Sequence, residues 1–169
     1  SFVRPEYQRN HQALLLLWRG IGAFVVRHPQ YRTLFGPVSI SPRYCDASMS
    51  LLTAFLEQNH LDASLARLVT PRHPRPSRTQ EFSHAPADVA DVDRLLAQSE
   101  GDGKRMPVLL RQYLKLNATL IGFNVDPNFR DALDALMMVD LATVDRSILS
   151  RYLGADDAER FLARQLSTR

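Results

Sequence analysis

A single cysteine, Cys45, stands in 169 residues, so no internal disulfide can form and no second thiol is available for a thiolate metal cluster. That usage fits a reducing compartment, and cytoplasmic exposure is the simplest reading. Long hydrophobic runs are also missing. The longest in the first helical stretch, Ala13 to Trp18, stops at Arg19, far short of the ~20 residues that cross a bilayer, and no secretory signal pattern is present. The chain is therefore expected to be soluble or peripheral to a membrane. Lysine is scarce: 19 of the 21 basic residues are Arg, and the formal net charge is only +3. The high pI thus reflects composition rather than a polybasic tract, and nucleic acid is not an expected partner. His60, His73 and His84 have no partners at zinc-type spacing, so no metal site is expected.

What is present reads as alternating helices and strands around one core, with 45% apolar residues in a single domain over 1–169. Asn10 is suited to cap a helix whose apolar positions Leu14, Leu17, Trp18, Ile21, Phe24 and Val25 follow three-and-four spacing until Pro29. Tyr31 to Ser41, short and rich in β-branched and aromatic residues, predicts a buried strand interrupted near Gly36-Pro37. Asp46 or Ser48 then caps a second helix through Met49, Leu52, Phe55 and Leu56, with a short continuation over Leu61, Leu65 and Leu68. From about residue 71 to 87 the chain holds four prolines and almost no periodicity, which predicts an irregular surface loop or a partly disordered segment. An acidic helix over Val89 to Gln98 is broken at Gly101 and Gly103, and Pro107 starts another over Val108 to Leu116. Thr119 to Val125 and Leu133 to Leu141 read as neighbouring strands, although Ala and Leu leave a helical alternative for Asp131 to Met138. Helices over Asp145 to Leu153 and Asp156 to Leu166, parted by Gly154, have acidic starts that suit the helix dipole.

Four blocks in order carry a resemblance. They are Ser1-Phe2-Val3-Arg4-Pro5-Glu6-Tyr7; Leu16-Leu17-Trp18-Arg19-Gly20-Ile21; Leu34-Phe35-Gly36-Pro37-Val38-Ser39-Ile40; and Pro107 to Leu116 with Gly122-Phe123-Asn124-Val125-Asp126-Pro127. With them the chain resembles the C-terminal half of the acyl-carrier-protein-dependent N-acyltransferases of the GNAT-like superfamily, which includes ornithine-lipid synthases and hemolysin-like proteins. The fold this implies is α/β, a three-layer α/β/α half-domain with a mixed sheet, and Ser1 to Pro5 reads as a strand end within a longer protein. The function it implies is transfer of a long-chain fatty acyl group from acyl carrier protein to an amino-acid amine such as that of ornithine, at the cytoplasmic or inner-membrane surface. No bound cofactor is implied beyond the acyl-phosphopantetheine of the carrier protein, which serves as donor substrate.

The resemblance places Arg4, Gln8, Arg9, Asn10 and His11 at the donor end of the site. Gln8 to His11 stand where acetyl-CoA-using members carry a glycine-rich loop whose N–H groups hold a diphosphate. A carrier-borne donor has one phosphodiester and no such group to cradle, and Arg4 and Arg9 would meet an acidic carrier helix. The plain alternative for these Arg is solvation on a helix and loop. On the acceptor side Asn124 and Asp126 could orient the amine, but Asn-Val-Asp-Pro-Asn is equally good turn chemistry. Asp134 and Asp140 flank an apolar strand and could act as general bases if burial raised their pKa, and His11 could assist proton transfer. The catalytic residue stays unassigned. Cys45 reads as a buried structural thiol rather than a nucleophile. The alternative function is a non-catalytic C-terminal module that binds acyl carrier protein or a membrane surface within a multidomain lipid acyltransferase. An unpaired edge on the strand Ser1 to Val3 would favour a homodimer.

Overall fold

The computed structural model describes residues 5–7, 11–76 and 84–166. Among the described residues seven α-helices and three strands follow one another as α1 (His11–Arg27), β1 (Thr33–Ile40), α2 (Asp46–His60), α3 (Ala63–Ala66), α4 (Val89–Ser99), α5 (Val108–Lys115), β2 (Thr119–Asp126), β3 (Ala132–Asp140), α6 (Arg146–Leu153) and α7 (Ala155–Leu166). The chain is α/β, and its small sheet and helices are consistent with part of a GNAT-like domain. The strand order is β1-β3-β2. β2 and β3 pair antiparallel, Thr119 opposite Met138 and Asp126 opposite Ala132. β1 is also antiparallel to β3, because Leu141 N–H bonds Arg32 O at one end while Ser39 bonds Asp134 toward the other. The parallel component of the expected mixed sheet is confined to an isolated bridge between Leu61 and Leu120.

Two compact units are distinguished, Ser1–Leu34 with Asp140–Arg169, and Phe35–Val139. In the first, α1 packs on α6 and α7. Trp18, Gly22 and Val25 are buried at helical spacing, and Trp18 meets Tyr152 with ring centroids 5.6 Å apart. Gly22 marks the close approach of α1 and α6: a Cβ there would lie 3.1 Å from both Leu153 Cδ1 and Tyr152 O. The expected stripe is narrower than its spacing suggested, because Leu17 and Phe24 are exposed. Phe24 instead stacks on Tyr31 beyond the helix end, with centroids 5.9 Å apart.

In the second unit α2 is buried all round, from Ser48 to Leu56. A helix without a wet face must satisfy its own polar side chains, and Thr53 Oγ1 donates to Met49 O at 3.0 Å. Its cap is neither Asp46 nor Ser48. Cys45 has the extended conformation of an N-cap and its Sγ accepts from Ser48 N–H at 3.5 Å, so the thiol is exposed and local rather than buried in the core. The continuation past α2 is the single turn α3, capped by Asp62, with Leu68 outside it and exposed.

β1 corrects the expectation of a buried, broken strand. It runs unbroken through Gly36-Pro37 and alternates, with Val38 and Ile40 buried and Phe35 exposed. Edge position explains this, since an outer strand tolerates a missing N–H. β3 resolves the strand-or-helix ambiguity: Leu133, Ala135, Met137 and Val139 are buried on one face, while Asp134, Leu136 and Met138 are half-buried on the other. That period of two belongs to a strand. α4, α5, α6 and α7 lie within a residue or two of their predicted bounds, and Gly154, whose positive φ of 91° favours glycine, separates the last two.

Candidate functional site

Arg4, Gln8, Arg9 and Asn10 lie outside the described residues, as does the segment Ser1 to Val3 expected to form a strand. His11 opens α1. Asn124 and Asp126 both sit at the far end of β2. Asn124 Oδ1 accepts from His73 N–H at 2.8 Å, and its Nδ2 donates to Val125 O at 3.0 Å. Asp126 Oδ1 accepts from Asn128 N–H at 2.9 Å and caps the 3-10 turn Pro127–Phe129. Asp126 thus has the local role its turn chemistry predicts, whereas Asn124 lies within β2 and ties the strand to a segment 51 residues away in sequence. Asp134 accepts from Ser39 Oγ at 2.6 Å, and Asp140 pairs with Arg32 at 2.6 Å.

The bond from His73 to Asn124 belongs to a larger arrangement along the edge of β2 away from β3. At one end Asp62 N–H donates to Leu120 O at 2.9 Å, and at the other Val125 N–H donates to His73 O at 2.8 Å. A bulge between Leu120 and Gly122 inserts Ile121 without a partner on β3. The alternation of the strand puts the N–H and C=O of Phe123 on the same outer edge, between the two clamps. There the segment 71–76 and the end of α2 stand off from the strand. They leave a groove of about 490 Å³ lined by Glu57, Leu61, Ala66, Arg75, Pro76 and Leu120 to Phe123.

Arg75 is the groove's cation. Its Nη1 donates to Thr53 Oγ1 at 3.0 Å, Glu57 lies 3.6 Å from Nη2, and the guanidinium stands 5.8 Å from the centre of the Phe123 ring. His60, the last residue of α2, lies edge-on to Phe55 with centroids 5.0 Å apart, and its Nε2 is buried without a hydrogen-bond partner among the described residues. Burial holds its pKa below the usual histidine value. Sequence reasoning passed over Arg75 because it sits in a proline-rich stretch without periodicity. That stretch is irregular as expected, but its described parts are tied down: Ala85 N–H bonds Gln58 Oε1 at 2.9 Å and Asn59 Nδ2 bonds Pro86 O at 3.3 Å.

A second polar cluster lies at the start of α2. Glu100 is buried, and its Oε1 accepts from Cys45 N–H at 2.8 Å while Lys104 Nζ reaches Oε2 at 3.2 Å. A hydrogen bond from the Ser48 side chain, then that from Cys45 N–H, holds the Glu100 carboxyl at about 2. A carboxylate over a helix start also meets the positive end of the dipole. Nearby, Asp93 is buried and accepts from Met106 N–H at 2.9 Å and from Arg111 at 2.7 Å. These bonds join α4, the turn after it and α5. Only the spacing of Glu100 and Lys104 was open to sequence inspection. Among the described residues no three His, Cys, Asp or Glu side chains are grouped to hold a metal ion, and no helix is long and apolar enough to cross a membrane.

The fold is α/β, and its small size is consistent with a partial GNAT-like domain. Comparison with known proteins adds two relatives, both called glycine N(alpha)-acyltransferase. The one from Bacteroides thetaiotaomicron is 28% identical over 140 residues, taking in 76% of this chain and 41% of the relative. The one from Phocaeicola vulgatus is 27% identical over 141 residues, with 76% and 42% covered. The chain therefore spans less than half the length of the curated relatives it matches. No protein-family model matches the chain, and no solved structure shows significant similarity to it.

Proposed function

We propose that the chain is part of an N-acyltransferase that moves a long-chain fatty acyl group from the phosphopantetheine thioester of acyl carrier protein to the amine of an amino acid. The observation that supports this reading is the likeness, over about three quarters of the chain, to two proteins called glycine N(alpha)-acyltransferase. Their name makes glycine the first acceptor to try; the ornithine-lipid type suggested by the motif blocks is the second. In the reaction a neutral amine attacks the thioester carbonyl, the C–N bond forms as the C–S bond breaks, and the amine proton passes to the departing thiolate. Positioning and polarisation of the carbonyl suffice for such chemistry. The segment Arg4, Gln8, Arg9, Asn10 and His11 is proposed to meet the carrier protein, and the amphiphilic product would leave into the cytoplasmic membrane surface.

The test is mass spectrometry of products from the full-length parent protein, labelled acyl carrier protein and a panel of amines. N-acylglycine or N-acylornithine is the expected product, and no N-acyl product from any amine sinks the reading. Because the chain covers under half of each relative, a second reading is a module that binds carrier protein or membrane while chemistry occurs elsewhere. The two separate on Arg4→Glu with Arg9→Glu in the parent. A docking module loses carrier binding but keeps turnover of a soluble acyl-thioester analogue, whereas a site lesion loses both.

A further inference from the structure

We propose that the groove along the outer edge of β2 binds a long-chain carboxylate, with the head group on Arg75 and the chain against Leu61, Ile121 and Phe123. The proposal stands whether or not the parent protein transfers acyl groups. The head-group argument is one of unused donors. A guanidinium carries five N–H donors in a fixed fork that matches a carboxylate. The Arg75 side chain is only 18% exposed, yet among the described residues it makes one hydrogen bond, to Thr53, and its ion pair with Glu57 at 3.6 Å is too long for another. The planar group is held in place by that bond and by the Phe123 ring. It is thereby set in advance to receive an anion from the groove side.

Shape and lining select the rest of the ligand. A groove of about 490 Å³ falls in the range that takes drug-sized molecules and is far larger than a free amino acid or acetate needs. Apart from Arg75 and Glu57, every lining residue is apolar or a glycine. About half of the exposed lining surface is nevertheless polar, so only the apolar half gains from burying methylenes, each worth roughly fourfold in affinity when fully covered. Glu57 adds a sign: it opposes a bound carboxylate and would favour an ammonium. A free fatty acid and an N-acyl amino acid share the required chemistry. The amide of the second could also pair with the outward N–H and C=O of Phe123.

The test is calorimetric titration of the 169-residue chain with decanoate, butyrate, decyltrimethylammonium and N-decanoylglycine. Saturable 1:1 binding of decanoate is expected, at least about 100-fold tighter than butyrate. Decyltrimethylammonium should not compete. Arg75→Gln should weaken decanoate by about tenfold or more, and Glu57→Gln should tighten it. Ala66→Trp should fill the groove and abolish binding with circular dichroism unchanged. Tighter binding of N-decanoylglycine than of decanoate assigns the site to an N-acyl amino acid, and the reverse order assigns it to a free fatty acid. The proposal is overturned if decanoate binds more weakly than about 1 mM. Equal binding of the alkylammonium, indifference to Arg75→Gln, or weaker binding in Glu57→Gln would each overturn it too.

Discussion

Arg111 and Arg75 are two partly buried guanidiniums in the same unit, and their surroundings differ. Arg111 Nη2 meets both oxygens of buried Asp93, at 2.7 and 3.0 Å, and that carboxylate is bonded in turn by Met106 N–H. Arg75 faces an open groove with one hydrogen bond and a carboxylate too far away for a second. The first arrangement leaves a carboxylate that no newcomer could reach; the second leaves donors facing space. A charge paired bidentately inside the fold belongs to stability, although the Nε of Arg111 is buried without a partner among the described residues, and a charge held in place with only a long ion pair to Glu57 is available for recognition.

Breaking the matched side should have the largest effect. Asp93→Ala strands Arg111 and the Met106 N–H, and is expected to cost about 2–4 kcal/mol in denaturant unfolding, below the full cost of an entirely buried pair because Arg111 is partly exposed. A loss under about 0.5 kcal/mol would mean the pair is solvated and the contrast false.

Acid tests the same side through Glu100. Its carboxyl titrates at about 2 in the fold against an ordinary 4.5, so the folded state binds its proton later than the unfolded state. The stability it contributes is complete above pH 4.5 and is lost as pH falls toward 2. Thermal melts across that window should show a steeper decline in the wild type than in Glu100→Gln. Parallel curves would remove the carboxylate from the account.

Asn124 stands between the two kinds of site, because it fastens segment 71–76 without lining the groove. Asn124→Ala should cost about 1 kcal/mol, the value of one net hydrogen bond, and should loosen the segment that presents Arg75. Faster amide exchange at His73 is the readout. Arg75→Gln itself should have the smallest effect on folding, within about 0.5 kcal/mol by chemical denaturation. A large loss there would turn the groove arginine into another structural cation.

These contrasts mark what was legible beforehand. Elements with a clear period or punctuation were read nearly in place: α5 behind Pro107, and α6 and α7 around Gly154. β3 was ambiguous because Ala and Leu serve either period, and its alternation becomes visible only once one face is buried. Cys45 escaped notice as a cap because a thiol is not among the usual capping groups, though here it does a serine's job. The two arginines could not be told apart at all. Asp93 and Arg111 lie 18 residues apart, with Met106 between them, and neither that separation nor the prolines around Arg75 carries a periodic signal. Leu17 and Phe24, expected in the buried stripe, are exposed for the opposite reason, since apolar spacing overstates how wide a face the neighbouring helices cover.

The proline in β1 has a bearing on how the sheet behaves in company. Counting alternately from Arg32, whose carbonyl is bonded by Leu141 N–H, the position of Pro37 falls on the rim away from β3. A visiting strand laid along that rim would find a missing rung where it needs one. At the opposite rim Asp62 and His73 already occupy the terminal rungs of β2. Among the described residues neither border of the sheet offers a continuous ladder, which disfavours edge-to-edge pairing with a strand of another chain.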